Sequence, residues 1–221
     1  MSNIDLQDSQ DMSQTTAPPG RPAAFSRDSA IEGAMNLLWR DGYLGVSASD
    51  LAVAMNIRRS SFYNSFGSRA AVFLEALDRY SKSAPDKVID QLAPGEAVLP
   101  VIADLFRELC RQRAADTEGR GCLVCNSIGE LIGVDEELGP VLLDAVEERV
   151  SVFERAIAQA ISQDELDLPD GTAAAARLLV TFLLGINLLS KTVRDEQALW
   201  ATCRSFLSNF GVPMAVLDKQ Q

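Results

Sequence analysis

The sequence contains no histidine, and this absence narrows the chemistry open to the chain. Histidine is the usual general base of serine and cysteine hydrolases and a common metal ligand, so those mechanisms are excluded. The sequence also lacks a P-loop glycine motif and a GxGxxG dinucleotide motif. We therefore predict that the chain is not an enzyme and that it carries neither a cofactor nor a metal.

Cysteine is scarce and long apolar runs are missing. The 221 residues hold four cysteines, too few for a secreted disulfide scaffold. The longest apolar stretch, 178–189, is interrupted by Thr181, Gly185 and Asn187, and is too short to cross a bilayer. The acidic N-terminus does not have the pattern of a signal peptide. These features predict a cytoplasmic protein with no membrane partner.

The distribution of charge matters more than its sum. The net charge of −11 would oppose nucleic-acid binding if it were spread evenly. Residues 21–80, however, carry seven Lys and Arg against six Asp and Glu, a net charge of +1. Because salt confines each charge's field to about 8–10 Å, a cationic surface can exist on an acidic protein.

Beyond residue 25 the hydrophobic pattern is helical, with apolar residues at three- and four-residue spacing and no sustained alternation. We predict an all-α fold with a disordered arm at 1–25, a head at 26–81 and a larger body at 82–221. The predicted helices of the head span about 27–40, 47–55, 58–65 and 68–81. Those of the body span about 97–113, 122–132, 139–162, 171–191 and 195–211.

Residues 47–64 have the pattern of a helix-turn-helix. Ser47 and Asp50 form a capping-box-like start, and Asn56 lies at the turn, where a left-handed conformation is tolerated. The second helix begins with Arg58-Arg59-Ser60-Ser61, whose cationic and hydroxyl groups suit base edges in the major groove. This segment is therefore the predicted recognition helix.

The sequence around this motif resembles the TetR/AcrR family of repressors. The resemblance is carried by Gly20-Arg21-Pro22, Gly42-Tyr43, Ser47 to Ala52, Met55-Asn56-Ile57, Ser61-Phe62-Tyr63 and Phe66 to Arg69, and more loosely by Gly119 to Asn126. It implies an N-terminal three-helix helix-turn-helix DNA-binding domain and a C-terminal helical ligand-binding and dimerisation domain. It also implies a repressor that a small-molecule inducer releases from double-stranded operator DNA.

The resemblance assigns roles to nine residues. The predicted DNA-binding residues are Arg21, Ser47, Arg58, Arg59, Ser60, Ser61, Tyr63, Asn64 and Arg69. Ser47, Tyr63 and Arg69 match phosphate-contacting positions, and Arg69 stands where lysine is usual. Arg58 to Ser61 match the base-facing stretch. Arg21 either enters the minor groove or belongs to an arm without a DNA role.

A near-palindromic operator requires a homodimer. Helix 175–190 is apolar nearly all round, so it must be covered on every side. Pairing with the last helix would form a four-helix bundle across the two-fold axis; alternatively, both helices only close the monomer core. The predicted interface residues are Leu184, Leu188, Trp200 and Phe206.

The inducer is expected in an apolar cavity between the helices of the body. The predicted lining residues are Leu105, Leu109, Cys122, Ser127, Leu131, Phe153 and Phe182. The acidic body is expected to disfavour an anionic ligand unless Arg107, Arg111 or Arg177 faces inward.

Cys122 and Cys125 lie three residues apart on one helix face, after a glycine-bearing loop. A helix N-terminus and the nearby Arg120 would favour a reactive Cys122 thiolate, which could sense electrophiles or oxidants. The alternatives are packing in the core and binding of a soft metal, for which only Cys110 offers a third thiolate. For the chain as a whole, the alternative of another class is a helical interaction module without DNA binding.

Overall fold

The computed structural model describes residues 26–168 and 171–218. Within these ranges the chain is helical and has no strand, which confirms the predicted all-α class. The helices are α1 (Arg27–Asp41), α2 (Ala48–Ala54), α3 (Arg59–Phe66), α4 (Arg69–Lys82), α5 (Val98–Ala115), α6 (Leu123–Leu131), α7 (Leu138–Ser162), α8 (Thr172–Leu189), α9 (Glu196–Phe210) and α10 (Met214–Leu217). A 3-10 helix spans Pro85–Gln91. The predicted arm at 1–25 lies outside the described residues.

Local chemistry explains where α2 begins and how the turn after it is formed. The Ser47 hydroxyl accepts a hydrogen bond from the Asp50 amide, and the Asp50 carboxylate accepts one from the Ser47 amide, so the predicted capping box is present. Asn56, in the turn between α2 and α3, has a φ of +53°, a conformation that asparagine tolerates. The predicted helix-turn-helix is therefore formed, with α3 beginning at Arg59.

The head and the body share hydrophobic packing. Large side chains from α1 to α4 form the core of the head, namely Leu38, Leu51, Phe62 and Phe73. Leu123 and Leu131 of α6 are buried in the same cluster. Thus α6 packs against the head as well as the body, and the hydrophobic cluster crosses the predicted domain boundary at 81–82.

The core of the body lies between α5, α7, α8 and α9, and its large buried residues include Phe106, Phe153, Leu179 and Leu207. At 25 residues, α7 is the longest helix described. It begins at Leu138, just before the predicted start, because the Asp135 carboxylate accepts the amide hydrogens of Glu137 and Leu138.

The pattern predicts neither the 3-10 helix nor α10. Among their side chains, only Ile89 and Leu217, respectively, are fully buried. Elements with so few apolar positions show no periodicity that a sequence can reveal.

By length and composition alone, α8 could cross a membrane, although the sequence showed an interrupted run. In the structure, Leu179, Val180, Leu183 and Ile186 of α8 are buried in the body core, and the helix packs along α7. We interpret α8 as a core helix.

Candidate DNA-binding surface and effector cavity

One face of α3 presents cationic and polar groups at the surface of the head. Arg58, Arg59 and Ser60 are exposed, and Ser61 is half-buried. In the described part of the chain, no carboxylate forms an ion pair with Arg58 or Arg59. The two charges are therefore available to an external anion such as a phosphate.

The remaining residues of α3 are divided between this face and the core. Tyr63 is 45% exposed; its ring packs edge-on against Phe62 at 5.3 Å, and the Arg59 guanidinium lies 5.9 Å from its centroid. Asn64 is exposed, whereas Phe62 and Phe66 are buried. A helix anchored on one side and polar on the other has the form that groove binding requires.

Ser47 is exposed at the start of α2, but its polar groups already have partners. Its hydroxyl lies 2.6 Å from the Asp50 carboxylate, and its amide donates to the same group. These hydrogen bonds to Ser47 lower the pKa of Asp50, so the aspartate stays charged at the helix start. A phosphate bound at Ser47 would have to compete with Asp50.

The structure corrects the expected direction of the Arg69 side chain. Its Nη1 donates to the carbonyl oxygens of Tyr43 at 2.9 Å and Val46 at 2.8 Å, and the guanidinium lies 3.9 Å from the Tyr43 ring centroid. These contacts turn the group toward the loop between α1 and α2 instead of outward to a phosphate. Arg69 therefore positions the chain that leads to Ser47. Arg21 lies outside the described residues.

The body holds the same loop from the other side. The Glu130 carboxylate in α6 accepts hydrogen bonds from the amides of Tyr43 at 3.0 Å and Leu44 at 2.7 Å. Gly42 has a φ of +76°, and a Cβ there would lie 2.8 Å from a Glu130 oxygen, so glycine permits this close approach. Nothing in the sequence pattern signals the contact, because Tyr43 and Glu130 are 87 residues apart.

A cavity of about 320 Å³ lies between α4, α5, α6, α7 and α8. Three polar side chains from different helices meet in its wall: Tyr80, Arg113 and Asn187. The rest of the wall is mostly aliphatic and includes Leu74, Leu77, Val124, Ile128, Val180 and Leu183. A largely apolar cavity of this size with a few convergent polar groups is typical of a small-molecule site.

Of the seven predicted lining residues, Leu109 and Cys122 lie on this cavity. The five that lie elsewhere, and whose predicted role is corrected, are Leu105, Ser127, Leu131, Phe153 and Phe182. The Ser127 hydroxyl donates to the Leu123 carbonyl within α6, and Phe182 stacks on Phe206 with ring centroids 3.7 Å apart. The other three are fully buried in the two cores. Helix position predicted that α5 to α8 form the walls but missed α4, and helix rotation decides which side chains point inward.

Arg113 is a buried cavity residue that the sequence analysis missed. It is 4% exposed; its Nε donates to the Asn187 side-chain oxygen at 2.7 Å, and its Nη2 donates to the Tyr80 hydroxyl at 3.0 Å. The sequence does indicate that Arg113 is buried, because it continues the apolar face of Ile102, Phe106 and Leu109 at helical spacing.

None of the three arginines that could have favoured an anionic ligand by facing inward lines the cavity. Arg107 donates to backbone carbonyls of α10, Arg111 pairs with the adjacent Glu108, and Arg177 is an exposed partner of a glutamate on α7. The buried cation of the cavity wall is instead Arg113, two residues beyond Arg111.

The cysteines occupy three different environments. Cys122 is the N-cap residue of α6 and lies on the cavity wall, whereas burial raises the pKa of the Cys125 thiol to about 11. Cys110 lies 3.5 Å from Cys203 in the body core, away from both, so it does not supply the third thiolate of a metal site. Within the described ranges, no three potential ligand side chains are grouped as a metal site needs.

The features expected to activate Cys122 are only partly present. Arg120 pairs with Asp116 at 3.1 Å and with Glu118 at 3.2 Å, and its guanidinium lies 3.9 Å from the Trp39 ring centroid. Its charge is therefore engaged by two carboxylates, which weakens the argument for a thiol sensor.

The four predicted interface residues differ in their surroundings. Leu188 is 62% exposed on α8. Leu184 lies on the cavity wall, Trp200 packs against the Arg107 guanidinium at 4.5 Å, and Phe206 stacks on Phe182. These three side chains are each only partly buried by their own protomer, and their place in a dimer interface stays a prediction.

The outward face of α8 is nevertheless apolar and unpartnered in the described chain. Leu178 is 50% exposed and Leu188 is 62% exposed, and both lie on the face that includes Gly185. A Cβ added at Gly185 would have no atom within 4 Å, so a second helix could approach closely there.

Comparisons with known proteins agree with this geometry. Residues 30–76 match the family model of the bacterial regulatory proteins, tetR family. The uncharacterized HTH-type transcriptional regulator YezE of Bacillus subtilis (strain 168) is 26% identical over 181 residues, which are 81% of this chain and 93% of that protein. The HTH-type transcriptional repressor ComR of Escherichia coli (strain K12) is 32% identical over 109 residues, 49% of this chain and 52% of ComR.

A solved structure is similar over nearly its whole length. It is a cysteine mutant of the TetR family transcriptional regulator CifR, complexed with 26bp double-strand operator DNA. The TM-score is 0.75 with 30% identity, and the match covers 86% of this chain and 98% of that chain. The fold and the site together define a helix-turn-helix DNA-binding protein whose helical C-terminal body contains a cavity. The chain belongs to the TetR family of transcriptional regulators.

Proposed function

We propose that this chain is a ligand-responsive repressor that binds double-stranded operator DNA as a cytoplasmic homodimer and has no enzymatic activity. The observation that carries the proposal is α3, whose buried Phe62 and Phe66 fix it in the head while Arg58 and Arg59 form no ion pair with a carboxylate of the described residues. The similarity to CifR, whose structure was solved with double-strand operator DNA, supports the DNA-binding part of the proposal. The predicted DNA contacts are Arg58, Arg59, Ser60, Ser61, Tyr63 and Asn64, with Ser47 at the start of α2.

Coupling between ligand and DNA would pass through α6. Cys122, Val124 and Ile128 of α6 lie on the cavity wall, and Glu130 of the same helix holds the amides of Tyr43 and Leu44. A ligand that displaces α6 would weaken this contact and shift the population of head orientations. Because the loop leads directly to Ser47, the DNA-binding geometry would change with it.

Dimerisation would use the outward face of α8, together with α9. Leu178 and Leu188 supply exposed apolar area, and Gly185 permits a close helix approach. A two-fold dimer would place two copies of α3 at successive major-groove positions, as a near-palindromic site requires.

The proposal is tested by selecting fragments of genomic DNA with the purified full chain. A near-palindromic motif, bound with a steep dependence of log affinity on log salt, is expected. The double variant Arg58→Ala with Arg59→Ala should lose this binding, whereas Arg155→Ala, which removes an exposed arginine of α7, should retain it. Salt-independent or absent DNA binding by the folded wild type would instead favour an interaction module without DNA binding.

A further inference from the structure

We propose that the cavity binds a small organic carboxylate, whose charged group pairs with Arg113 and whose apolar part fills the space between α4 and α8. The inference rests on the proposed function, because it names the class of ligand to which the regulator responds. It is carried by a buried arginine that has hydrogen-bond partners but no counter-ion among the described residues.

The charge of Arg113 is not compensated by a carboxylate of the described residues. The side chain is 4% exposed, and a guanidinium stays protonated inside a protein. Across residues 26–168 and 171–218, no aspartate or glutamate forms an ion pair with it. Its two partners, the Tyr80 hydroxyl and the Asn187 amide oxygen, are neutral. An uncompensated buried charge is costly, so binding an anion beside it is favourable.

The guanidinium also has donors left for a ligand. Nε and Nη2 donate to Asn187 and Tyr80, but Nη1 makes no hydrogen bond with the described residues, and Arg113 forms part of the cavity wall. The Asn187 amide donates to the Leu183 carbonyl at 2.8 Å, which fixes the oxygen that orients Arg113. A carboxylate can therefore accept hydrogen bonds from a guanidinium that is already held in place.

Tyr80 adds a neutral donor next to Arg113. Burial, followed by the neighbouring Cys122 thiol, raises the pKa of the Tyr80 hydroxyl, so the group stays protonated at physiological pH. Its oxygen accepts from Arg113, and its hydrogen can turn to a carboxylate oxygen, which is a much stronger acceptor than the Cys122 sulfur.

The other charges on the cavity wall do not compete for this position. Asp86 pairs with Arg149 at 3.2 Å, and Asp78 pairs with Lys82 at 2.6 Å. Glu148 is exposed. The two other cations of the wall, Lys87 and Arg149, pair with Asp90 at 2.9 and 2.8 Å. Arg113 is thus the buried charge of the wall that forms no ion pair with the described residues, and its field favours an anion within the cavity.

The aliphatic walls define the rest of the ligand. Leu77, Ile128 and Val180 come from three different helices and face a space of about 320 Å³. An inorganic anion would leave these side chains facing water, whereas a carboxylate with an alkyl or aromatic body buries them. This combination selects a monocarboxylic acid over a phosphate or a neutral hydrocarbon.

The charge requirement is tested on the full wild-type chain with pairs of ligands that differ only in charge. Octanoate and octanamide, and benzoate and benzamide, are compared by isothermal titration and by the shift in Tm. We expect the carboxylates to bind and each amide to bind at least tenfold more weakly. Equal binding of an amide, or no binding by any straight-chain carboxylate from butanoate to decanoate, would overturn the proposal. DNA binding of the same preparation without ligand tests the proposed function separately.

Variants locate the site. Arg113→Gln should weaken octanoate binding at least tenfold, while Arg111→Gln, which makes the same change at an exposed position of α5, should bind as wild type does. If Arg113→Gln does not fold, Arg113→Lys and Tyr80→Phe are measured instead, and both are expected to weaken binding. Unchanged octanoate affinity in any folded Arg113 variant would place the anion site elsewhere.

Discussion

The Glu130 carboxylate on α6 accepts a hydrogen bond from the Tyr43 amide at 3.0 Å, which joins the helix that lines the cavity to the loop that precedes the helix-turn-helix. Arg69 holds the carbonyl oxygen of the same residue at 2.9 Å. Both polar groups of the Tyr43 backbone are therefore bound by charged side chains, one from the body and one from the head. The position of α2 depends on this double restraint.

The first prediction is that Glu130→Gln loosens the loop. A glutamine can accept only one of the two amide hydrogens with its oxygen, and its own amide group faces a donor. We expect the free energy of unfolding to fall by about 1.5–3 kcal/mol, the range for hydrogen bonds to charged groups, and DNA affinity to fall with it. Urea unfolding measures the first effect. Glu136→Gln, at an exposed position beyond α6, is the control, and equal stability of the two variants would contradict the prediction.

The second prediction separates positioning from phosphate binding at Arg69. Because Nη1 is bound to two carbonyl groups, Arg69→Ala should lower stability and DNA affinity but leave the slope of log affinity against log salt unchanged. A direct phosphate contact would reduce that slope by about one. Arg79→Ala is the control, because it removes an equal charge from α4 at a partly exposed position that makes only long ion pairs. If Arg69→Ala reduced the slope of log affinity against log salt and Arg79→Ala did not, Arg69 would be a phosphate contact after all.

The third prediction concerns the Tyr63 hydroxyl. Tyr63 is 45% exposed and its ring is supported by Phe62, so Tyr63→Phe removes a hydrogen-bonding group without opening the core. Affinity for operator and for random DNA should fall together, by roughly three- to tenfold, as expected for loss of one hydrogen bond. Fluorescence anisotropy at fixed salt measures both. An unchanged affinity for both DNAs would mean that the hydroxyl does not contact DNA.

The fourth prediction tests the dimer face. Leu188→Glu would place an unpaired charge at the outward face of α8, at a cost of several kcal/mol by order of magnitude if that face is buried between protomers. Sedimentation should show monomers, and binding to a palindromic site should be lost. The matched control is Leu143→Glu, at a leucine of α7 that is 50% exposed. If both variants remain dimers, the interface lies elsewhere.

The fifth prediction is the pH dependence of Cys125. Burial raises the pKa of this thiol to about 11, so at pH 7 only about one molecule in ten thousand holds it as the reactive thiolate. Alkylation by iodoacetamide, followed by mass spectrometry of the Cys125 peptide, should be slow at pH 7 and should accelerate about tenfold per pH unit up to about 11. The alkylated peptide should be absent from the Cys125→Ser variant, which assigns the mass-spectrometric signal to Cys125. A rate that levels off below pH 9 would contradict the raised pKa.

Several parts of the site followed from the sequence because their causes are local. The capping box of Ser47 and Asp50 and the left-handed turn at Asn56 depend on residues only a few positions apart. The polar start of α3 is likewise visible in the sequence, because the exposed and buried positions of one short helix repeat with a known period. The same period could also have identified Arg113, because it is a charged residue on the apolar face of a helix.

The sequence by itself thus determined the helical class, the helix-turn-helix and its exposed cationic face, because hydrophobic period and capping act within one helix or turn. Only the tertiary structure decided which side chains meet. It turned Arg69 inward to Tyr43, brought Glu130 to a loop 87 residues away, and moved Phe182 from the expected cavity into a stack with Phe206. The physical reason is that the rotation and crossing of packed helices depend on all of their neighbours at once, and no spacing along a single helix records them.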